Sequence, residues 1–306
     1  MKIEISSQRC RRCGLCVRAC PAHLFHAPGA HAPAAHEAAT HEADPPSIPT
    51  AAGCIACGHC VALCPADAIV HDAFPPEKLA PSEPASRENL AAMWETFERV
   101  VASRRSVRIF RSEPIARDEL ERVLHAAQLA PTACNARQVY WTVVTNPDRL
   151  AEVRRLTLQF LEKSVAALQS LPASILSKIF PNGEIAINRR RLPMLRSLLE
   201  IAREKDIILY DAPCMLVAHY SKFGGRFADI DAQLAIQNAT LAAVAQGLGT
   251  FYTGFVTRAA DSDRAIARAL EIPQDHKIAG GMTLGHPAAQ YRYTPLRETP
   301  PVAFLD

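Results

Sequence analysis

Cys10-Arg11-Arg12-Cys13-Gly14-Leu15-Cys16-Val17-Arg18-Ala19-Cys20-Pro21 decides the first part of the fold. Cys54-Ile55-Ala56-Cys57-Gly58-His59-Cys60-Val61-Ala62-Leu63-Cys64-Pro65 repeats its spacing without deviation. Both stretches read C-x2-C-x2-C-x3-C-P. Three thiolates that close can wrap one corner of a cubane iron–sulfur cluster, while the fourth, set apart by its proline, reaches a second cluster. The spacing therefore assigns Cys10, Cys13, Cys16 and Cys64 to one [4Fe–4S] cluster. Cys54, Cys57, Cys60 and Cys20 fall to the other. Gly14 and Gly58 follow the second cysteine of each run, where the backbone must turn tightly and its amides can face the sulfurs. Zinc, the plainer alternative, uses ligands in two pairs and has no need of a third cysteine followed by Cys-Pro.

Working outward, 306 residues are enough for two domains. Hydrophobic residues make up 49% and charged residues 21%, so the chain can bury a core and is not disordered throughout. Eight of the ten cysteines lie before residue 65. The start has no apolar core of signal-peptide length, and Arg11-Arg12 is followed by Cys-Gly rather than an apolar stretch. The window between Asp231 and Arg258 lacks charge but holds Gln233, Gln237, Asn238 and Gln246, which fits a buried helix running into a strand better than a bilayer span. The expectation is a cytoplasmic protein with no membrane contact, its cysteines reduced ligands rather than disulfides. A formal net charge of +3 is too mild for a nucleic-acid binder. Residues 1–75 carry a net −1, so the positive excess lies in the remainder, where a small anion would be welcome.

The chain divides into residues 1–75 (two-cluster domain), 76–88 (proline-rich linker) and 89–306 (second domain). Within the first, residues 26–50 form a low-complexity His/Ala/Pro loop with His26, His31, His36 and His41 in phase at a period of five. A metal-binding tract is the sharper reading, but that period suits neither a helix face nor a strand face, and a solvated loop is expected. Helical and strand patterns then alternate from Arg87 to about Arg149, and residues 150–209 read as strongly helical. The last hundred residues return to short apolar strands around one long helix.

Residues 2–72 resemble the bacterial two-cluster ferredoxins, interrupted by the His/Ala/Pro insertion. Two clusters explain how so small a unit folds, since metal–ligand bonds replace a core it cannot otherwise build. Such domains carry single electrons, so substrate chemistry must lie elsewhere. Ser103-Arg104-Arg105-Ser106-Val107-Arg108 follows a helical stretch and places several cationic donors along an extended segment, a phosphate site in miniature. Alone it reads more readily as a solvated basic strand, because charge runs usually face water. Around it come, in order, an amphipathic helix from Glu119, the loop Pro131-Thr132-Ala133-Cys134-Asn135, and a strand from Tyr140 to Thr145. Asp211-Ala212-Pro213 then leads into Met215-Leu216-Val217, a helix runs from Ile230, and Gly247-Leu248-Gly249-Thr250-Phe251-Tyr252-Thr253-Gly254 follows. Thr283-Leu284-Gly285-His286-Pro287 closes the series.

This ordered set resembles the FMN-dependent nitroreductase family over roughly residues 95–297, and most of all its members with a fused N-terminal two-cluster ferredoxin. The resemblance implies an α+β chain: a ferredoxin-type domain, then an α/β/α domain with a mostly antiparallel sheet. It further implies FMN at a homodimer interface. Arg104 and Ser106 match its phosphate-binding positions, with Arg105 beside them. Arg108 matches the position near the flavin N1/O2 edge, where a cation stabilises reduced flavin. Pro131, Thr132 and Asn135 match the loop lining the isoalloxazine, and Thr253 and Gly254 the turn whose amide approaches N5. Arg292 is the expected late phosphate contact, although the family often has arginine where this chain has Tyr293, so Arg297 is a substitute. Arg137-Gln138 stands where Gln-Pro is common. No side chain is assigned as catalytic, because in this family the flavin does the chemistry.

The function expected on this reading is electron transfer between two [4Fe–4S] clusters and FMN, reducing a small organic acceptor of nitro, quinone or activated-alkene type. NAD(P)H or an external redox protein would be the donor; no Gly-rich dinucleotide fingerprint follows a strand, but relatives bind nicotinamide over the flavin. The alternatives are a redox or oxygen sensor, an electron carrier without rapid turnover, the reverse reaction with electrons exported through the clusters, or a specialised biosynthetic or dehalogenating reaction. Cys134 reads as a packed cysteine rather than an active thiol, Cys214 as core, and Trp141 and Phe251 as core aromatics. His219 and His286 read as lone histidines. The 150–209 stretch is open to three roles: a lid, a docking surface or a peripheral helical hairpin.

Overall fold

Both cysteine runs fold the same way, because the same residues force the same turns. The computed structural model describes residues 1–27, 44–82 and 86–305, so His31, His36 and His41 lie outside the described residues. Gly14 and Gly58, at φ 68° and 77°, enter the short helices α1 (Leu15–Ala19) and α2 (His59–Ala62) through the left-handed region open to glycine. Arg12 and Ala56 share that conformation, as do His23 and Asp67, so the left-handed residues recur in matching places after each run. Strand β1 (Ile3–Ile5) pairs antiparallel with β2 (Ile69–His71), Ile3 opposite His71. Their small core is Leu24, Phe25 and Ile69 with Cys20 and Cys60. The low-complexity segment enters and leaves through a bridge between His26 and Ser47.

Contacts divide the chain into two units: Met1–Arg87 with Cys134–Ala136, and Glu88–Ala133 with Arg137–Asp306. The boundary lies at Arg87, where helix α3 (Arg87–Ser103) begins inside the segment expected as linker.

The second unit is a sheet between two helical layers. After α3 come α4 (Arg117–Gln128), β3 (Tyr140–Val144), α5 (Pro147–Gln169), α6 (Leu171–Ile179), α7 (Glu184–Arg190) and α8 (Leu192–Ile201). They are followed by β4 (Cys214–Ser221), α9 (Ala228–Ala245), β5 (Gly249–Tyr252), α10 (Gly254–Ser262), α11 (Ala265–Ala269) and β6 (His276–Gly285). The strands lie in the order β3-β4-β6-β5, every pair antiparallel, as expected. Alternation along β4 sends Cys214, Leu216 and Ala218 to one face, against α4 and α9. Met215 and Val217 go to the other, against α5, α10 and α11. Covered on both sides, β4 is apolar over its first five residues, Cys214 to Ala218.

The uncharged window is helix then strand, α9 into β5, but only one face of α9 is buried, with Ile230, Gln233, Leu234 and Gln237 exposed on the other. Among the described residues no helix is long and apolar enough to cross a membrane. The long helical stretch is four helices rather than a hairpin. Of these, α5 buries Val153, Thr157, Leu161 and Val165 as part of the core. The basic segment after α3 is extended but barely joins the sheet, through one parallel bridge from Ser106 to Thr250 and one antiparallel bridge from Phe110 to Pro287.

Candidate functional site

The eight cysteines line two cavities. Cys10, Cys13 and Cys16 share one with Cys64; Cys54, Cys57 and Cys60 share the other with Cys20. Each cavity thus draws three thiols from one run and the fourth from the other. Backbone amides converge on the sulfurs in matching pairs: Arg12 N–H on Cys10 and Ala56 N–H on Cys54, both at 3.4 Å. Leu24 N–H donates to Cys20 at 3.5 Å and Ala68 N–H to Cys64 at 3.2 Å. Donors of this kind favour the thiolate. Burial works against it, pushing the Cys16 and Cys60 thiols up to about 11, so a metal must replace their protons. Among the described residues no three ligating groups converge tightly enough for a single metal ion. Four thiols grouped three from one run and one from the other fit a [4Fe–4S] cluster.

Sequence inspection missed a ninth residue here. His71, 2% exposed, brings Nε2 to 3.5 Å from Cys54 Sγ.

In the second unit the basic segment is pinned to the sheet edge by Val107, whose N–H donates to Thr250 O at 3.0 Å. Gly249 makes this approach possible: a Cβ there would lie 2.8 Å from Val107 Cγ1. With Val107 turned inward, alternation separates the cations. Arg105, on the parity of Val107, lines a cleft with Arg111, His286 and Tyr291. Its Nη2 is buried without a hydrogen-bond partner. Arg104, Ser106 and Arg108 share the opposite parity. Arg108 lies over the Tyr210 and Phe251 rings, 5.6 and 5.5 Å from their centroids, and donates to Ser106 O at 3.4 Å.

Tyr210 is held there by a turn built on a buried carboxylate. Asp206 accepts the N–H groups of Ile208, Leu209 and Asp211 at 2.8, 3.0 and 3.1 Å. Tyr210 and Asp211 adopt φ 56° and 53° in this turn, a cost that non-glycine residues bear where the surroundings over-determine them.

The loop after α4 is anchored by another buried carboxylate, Asp231 of α9. Both its oxygens accept Ala133 N–H, at 3.1 and 3.2 Å. Thr132 Oγ1 accepts Arg137 N–H at 3.1 Å. Asn135 belongs by contact to the first unit, its Nδ2 donating to the carbonyls of Ile55 at 3.1 Å and Ala56 at 2.6 Å. Thr253 is 3% exposed, with an unpartnered hydroxyl, and its N–H donates to Gly281 O at 3.0 Å. That leaves Gly254, first residue of α10, as the amide of this turn with no intrahelical acceptor. Arg292 lies in the extended C-terminal segment, stacked on Tyr293 at 5.7 Å. Among the described residues the Arg105 guanidinium nitrogen and the Thr253 hydroxyl are buried without a partner, and an anionic group such as the FMN phosphate would satisfy the first of them.

Three expectations change, the first at His286, which is not a lone histidine: its Nδ1 and Nε2 lie 3.9 Å from Glu113 Oε1 and Glu119 Oε2. His219 is not a lone histidine: it meets His276, far along the chain, with their Nδ1 atoms 2.8 Å apart. Cys134 is exposed rather than packed, at φ 51°. Cys214 is core, its thiol pushed up to about 12 by burial. Phe251 is buried, edge-on to Tyr210 at 5.3 Å, and Trp141 packs on the core between the sheet and α4/α9.

The family model described as Nitroreductase family matches residues 101–286, and a 4Fe-4S dicluster domain model matches residues 9–69. An FMN reductase (NAD(P)H) of Bacillus subtilis (strain 168) is 27% identical over 185 residues, which is 60% of this chain and 63% of that protein. Among solved structures, a nitroreductase with bound FMN from Desulfitobacterium hafniense DCB-2 is 20% identical, with a TM-score of 0.52. It covers 69% of this chain and 98% of its own. A nitroreductase with bound FMN from Bacteroides fragilis NCTC 9343 is 22% identical with a TM-score of 0.51, covering 68% and 98%. At these identities the two structures establish the fold.

Proposed function

This chain belongs to the nitroreductase family and carries a 4Fe-4S dicluster domain before it, and on that premise we propose an FMN- and iron–sulfur-dependent oxidoreductase that reduces a small nitro, quinone or activated-alkene acceptor. The carrying observation is the crossed grouping of the cysteines, three from one run with the fourth of the other in each cavity. When bound, the two clusters supply single-electron transfer, and FMN supplies the pooling of two electrons and their delivery with a proton.

The chain's own residues divide the work. Cys10, Cys13, Cys16 and Cys64 hold one cluster, and Cys54, Cys57, Cys60 and Cys20 the other. Arg104 and Ser106 take the phosphate of FMN, with Arg105 and Arg292 as further cations. Arg108, held between Ser106 O and two aromatic faces, would supply the positive charge that stabilises the reduced, anionic ring. The Gly254 amide is offered to the reactive edge of the ring, with Thr253 holding the turn against Gly281. Pro131, Thr132 and Asn135 belong to the loop lining the ring.

A homodimer completes the site. On α3, Leu90, Met93, Trp94 and Phe97 are each more than half exposed along one helical stripe, an apolar surface that a second copy would cover. The B. subtilis relative, an FMN reductase (NAD(P)H) by name, supports NAD(P)H as donor, with a redox protein as the other source.

The test is anaerobic purification with iron, sulfide and flavin quantified, followed by titration with NADH, NADPH and a reduced ferredoxin in turn. About eight irons and one FMN per chain are expected, bleached by one donor and restored by a nitroaromatic or a quinone. Iron without flavin would sink the reading. Full cofactors that no donor reduces would leave the sensor or the reverse reaction in its place.

A further inference from the structure

The two cluster cavities match in their thiols and in the backbone donors to them, and in one of them a histidine lines the cavity and meets a sulfur. His71 ends β2, opposite Ile3, and is 2% exposed. Its Nε2 lies 3.5 Å from Cys54 Sγ. The ring is held from several directions. Ala73 N–H donates to Nδ1 at 3.1 Å, Asp72 Oδ1 stands 3.3 Å from the same nitrogen, and Phe74 packs edge-on at 5.2 Å. Phe74 in turn rests on Gly58, where a Cβ would come within 3.1 Å of it. Asp72 is itself engaged, its Oδ2 accepting Lys2 N–H at 2.8 Å.

The Ala73 amide, at 3.1 Å from Nδ1, favours the tautomer with its proton on Nε2, the nitrogen facing the sulfur; with Asp72 Oδ1 drawing a proton to Nδ1 as well, the imidazolium also donates from Nε2. A sulfur bound to iron has no proton of its own to give, so the short contact is attractive only with His71 as donor. The repeat offers no equivalent in the first half. His71 follows Cys64 as Ala27 follows Cys20, seven residues on, and alanine has no donor.

We propose that His71 tunes the cluster held by Cys54, Cys57, Cys60 and Cys20, raising its reduction potential through a hydrogen bond from Nε2 to the Cys54 sulfur; this rests on the cluster assignment made above. Reduction adds one electron and no proton to the cluster, so its sulfurs become more negative. A hydrogen bond to them then strengthens, and the reduced form gains more than the oxidised one. Burial keeps water from supplying the same bond when His71 is absent. His71 is a positioning and tuning residue, and it ligates nothing.

The whole protein, purified anaerobically with about eight irons, is titrated with dithionite while the clusters are followed by electron paramagnetic resonance. His71→Phe keeps the ring and its packing but removes the donor. It should lower one cluster's potential by roughly 59 mV, a tenfold shift in the reduced-to-oxidised ratio for one electron, and leave the other unchanged. His71→Gln, which retains an N–H, should recover part of the shift. Independently of any variant, wild-type protein labelled with 15N-histidine should show nitrogen hyperfine coupling to one reduced cluster. Unchanged potentials in a fully loaded His71→Phe protein would overturn the proposal. If that variant fails to hold iron, absence of histidine coupling in the labelled wild type overturns it. Wild-type protein with no more than traces of iron would overturn the cluster assignment itself, and the tuning role with it.

Discussion

His219 Nδ1 and His276 Nδ1 stand 2.8 Å apart inside the second unit, with the Tyr140 ring over both imidazoles. One nitrogen must donate and the other accept, so the pair holds one proton between them. Thr142 Oγ1 meets the far side of His219 at 3.2 Å. Burial, then the neighbouring His276, push His219 down from 6.5 to about 4. The folded state thus keeps His219 neutral where the unfolded chain takes up a proton. Stability from this source is complete above about pH 6.5 and is lost as pH falls from there through about 4, by on the order of 3 kcal/mol. Urea midpoints between pH 4 and pH 8 check this. A midpoint that rises on acidification would contradict the buried neutral pair.

Cys16 is half-buried in the first cavity, with three other thiols. Replacing Cys16 with Ser should remove about four iron atoms per chain, one cubane's worth, and leave flavin in place. Iron and flavin analysis of the same sample decides the matter. Equal loss of both would show that the two cofactor sites do not assemble independently.

Arg104 shares a parity with Ser106 and Arg108, opposite inward-facing Val107. Arg104→Ala should weaken FMN by about 1.5–3 kcal/mol, the range for a hydrogen bond to a charged group. Fluorescence titration of flavin-stripped protein measures it. Unchanged affinity would mean that the segment is only a solvated basic strand.

Gly249 packs directly against the Val107 side chain. A Cβ at Gly249 would lie 2.8 to 3.0 Å from three Val107 atoms. Gly249→Ala should therefore cost about 1–3 kcal/mol of stability and loosen flavin by displacing Ser106. Adding Val107→Ala should recover part of both. Failure of the second change to help would place the damage elsewhere on β5.

The chain order of helices and strands was readable because periodicity is local: α4, β3, β4, α9 and β5 all begin within a few residues of where the pattern places them. Boundaries were less exact. Helix α3 starts at Arg87, inside the 76–88 segment expected as linker and three residues after its last proline, Pro84. Side-chain direction in the basic segment was not readable. Which of Arg104 and Arg105 faces which way depends on Val107 docking against Gly249, a contact between residues far apart in the chain.

By itself, the sequence determined the dicluster signature of the first unit and the family of the second, because a cubane calls for a fixed short cysteine spacing and a family signature is an ordered series of local motifs. Only the tertiary structure decided what meets across the sheet and between loops. The β4–β6 register shift at Ala218 and His219 governs how His219 comes to His276. Asp231 reaches Ala133 from another helix, and His71 reaches Cys54 from a strand end. Such pairings depend on register, packing and the path of the backbone, and no local pattern of residues encodes them.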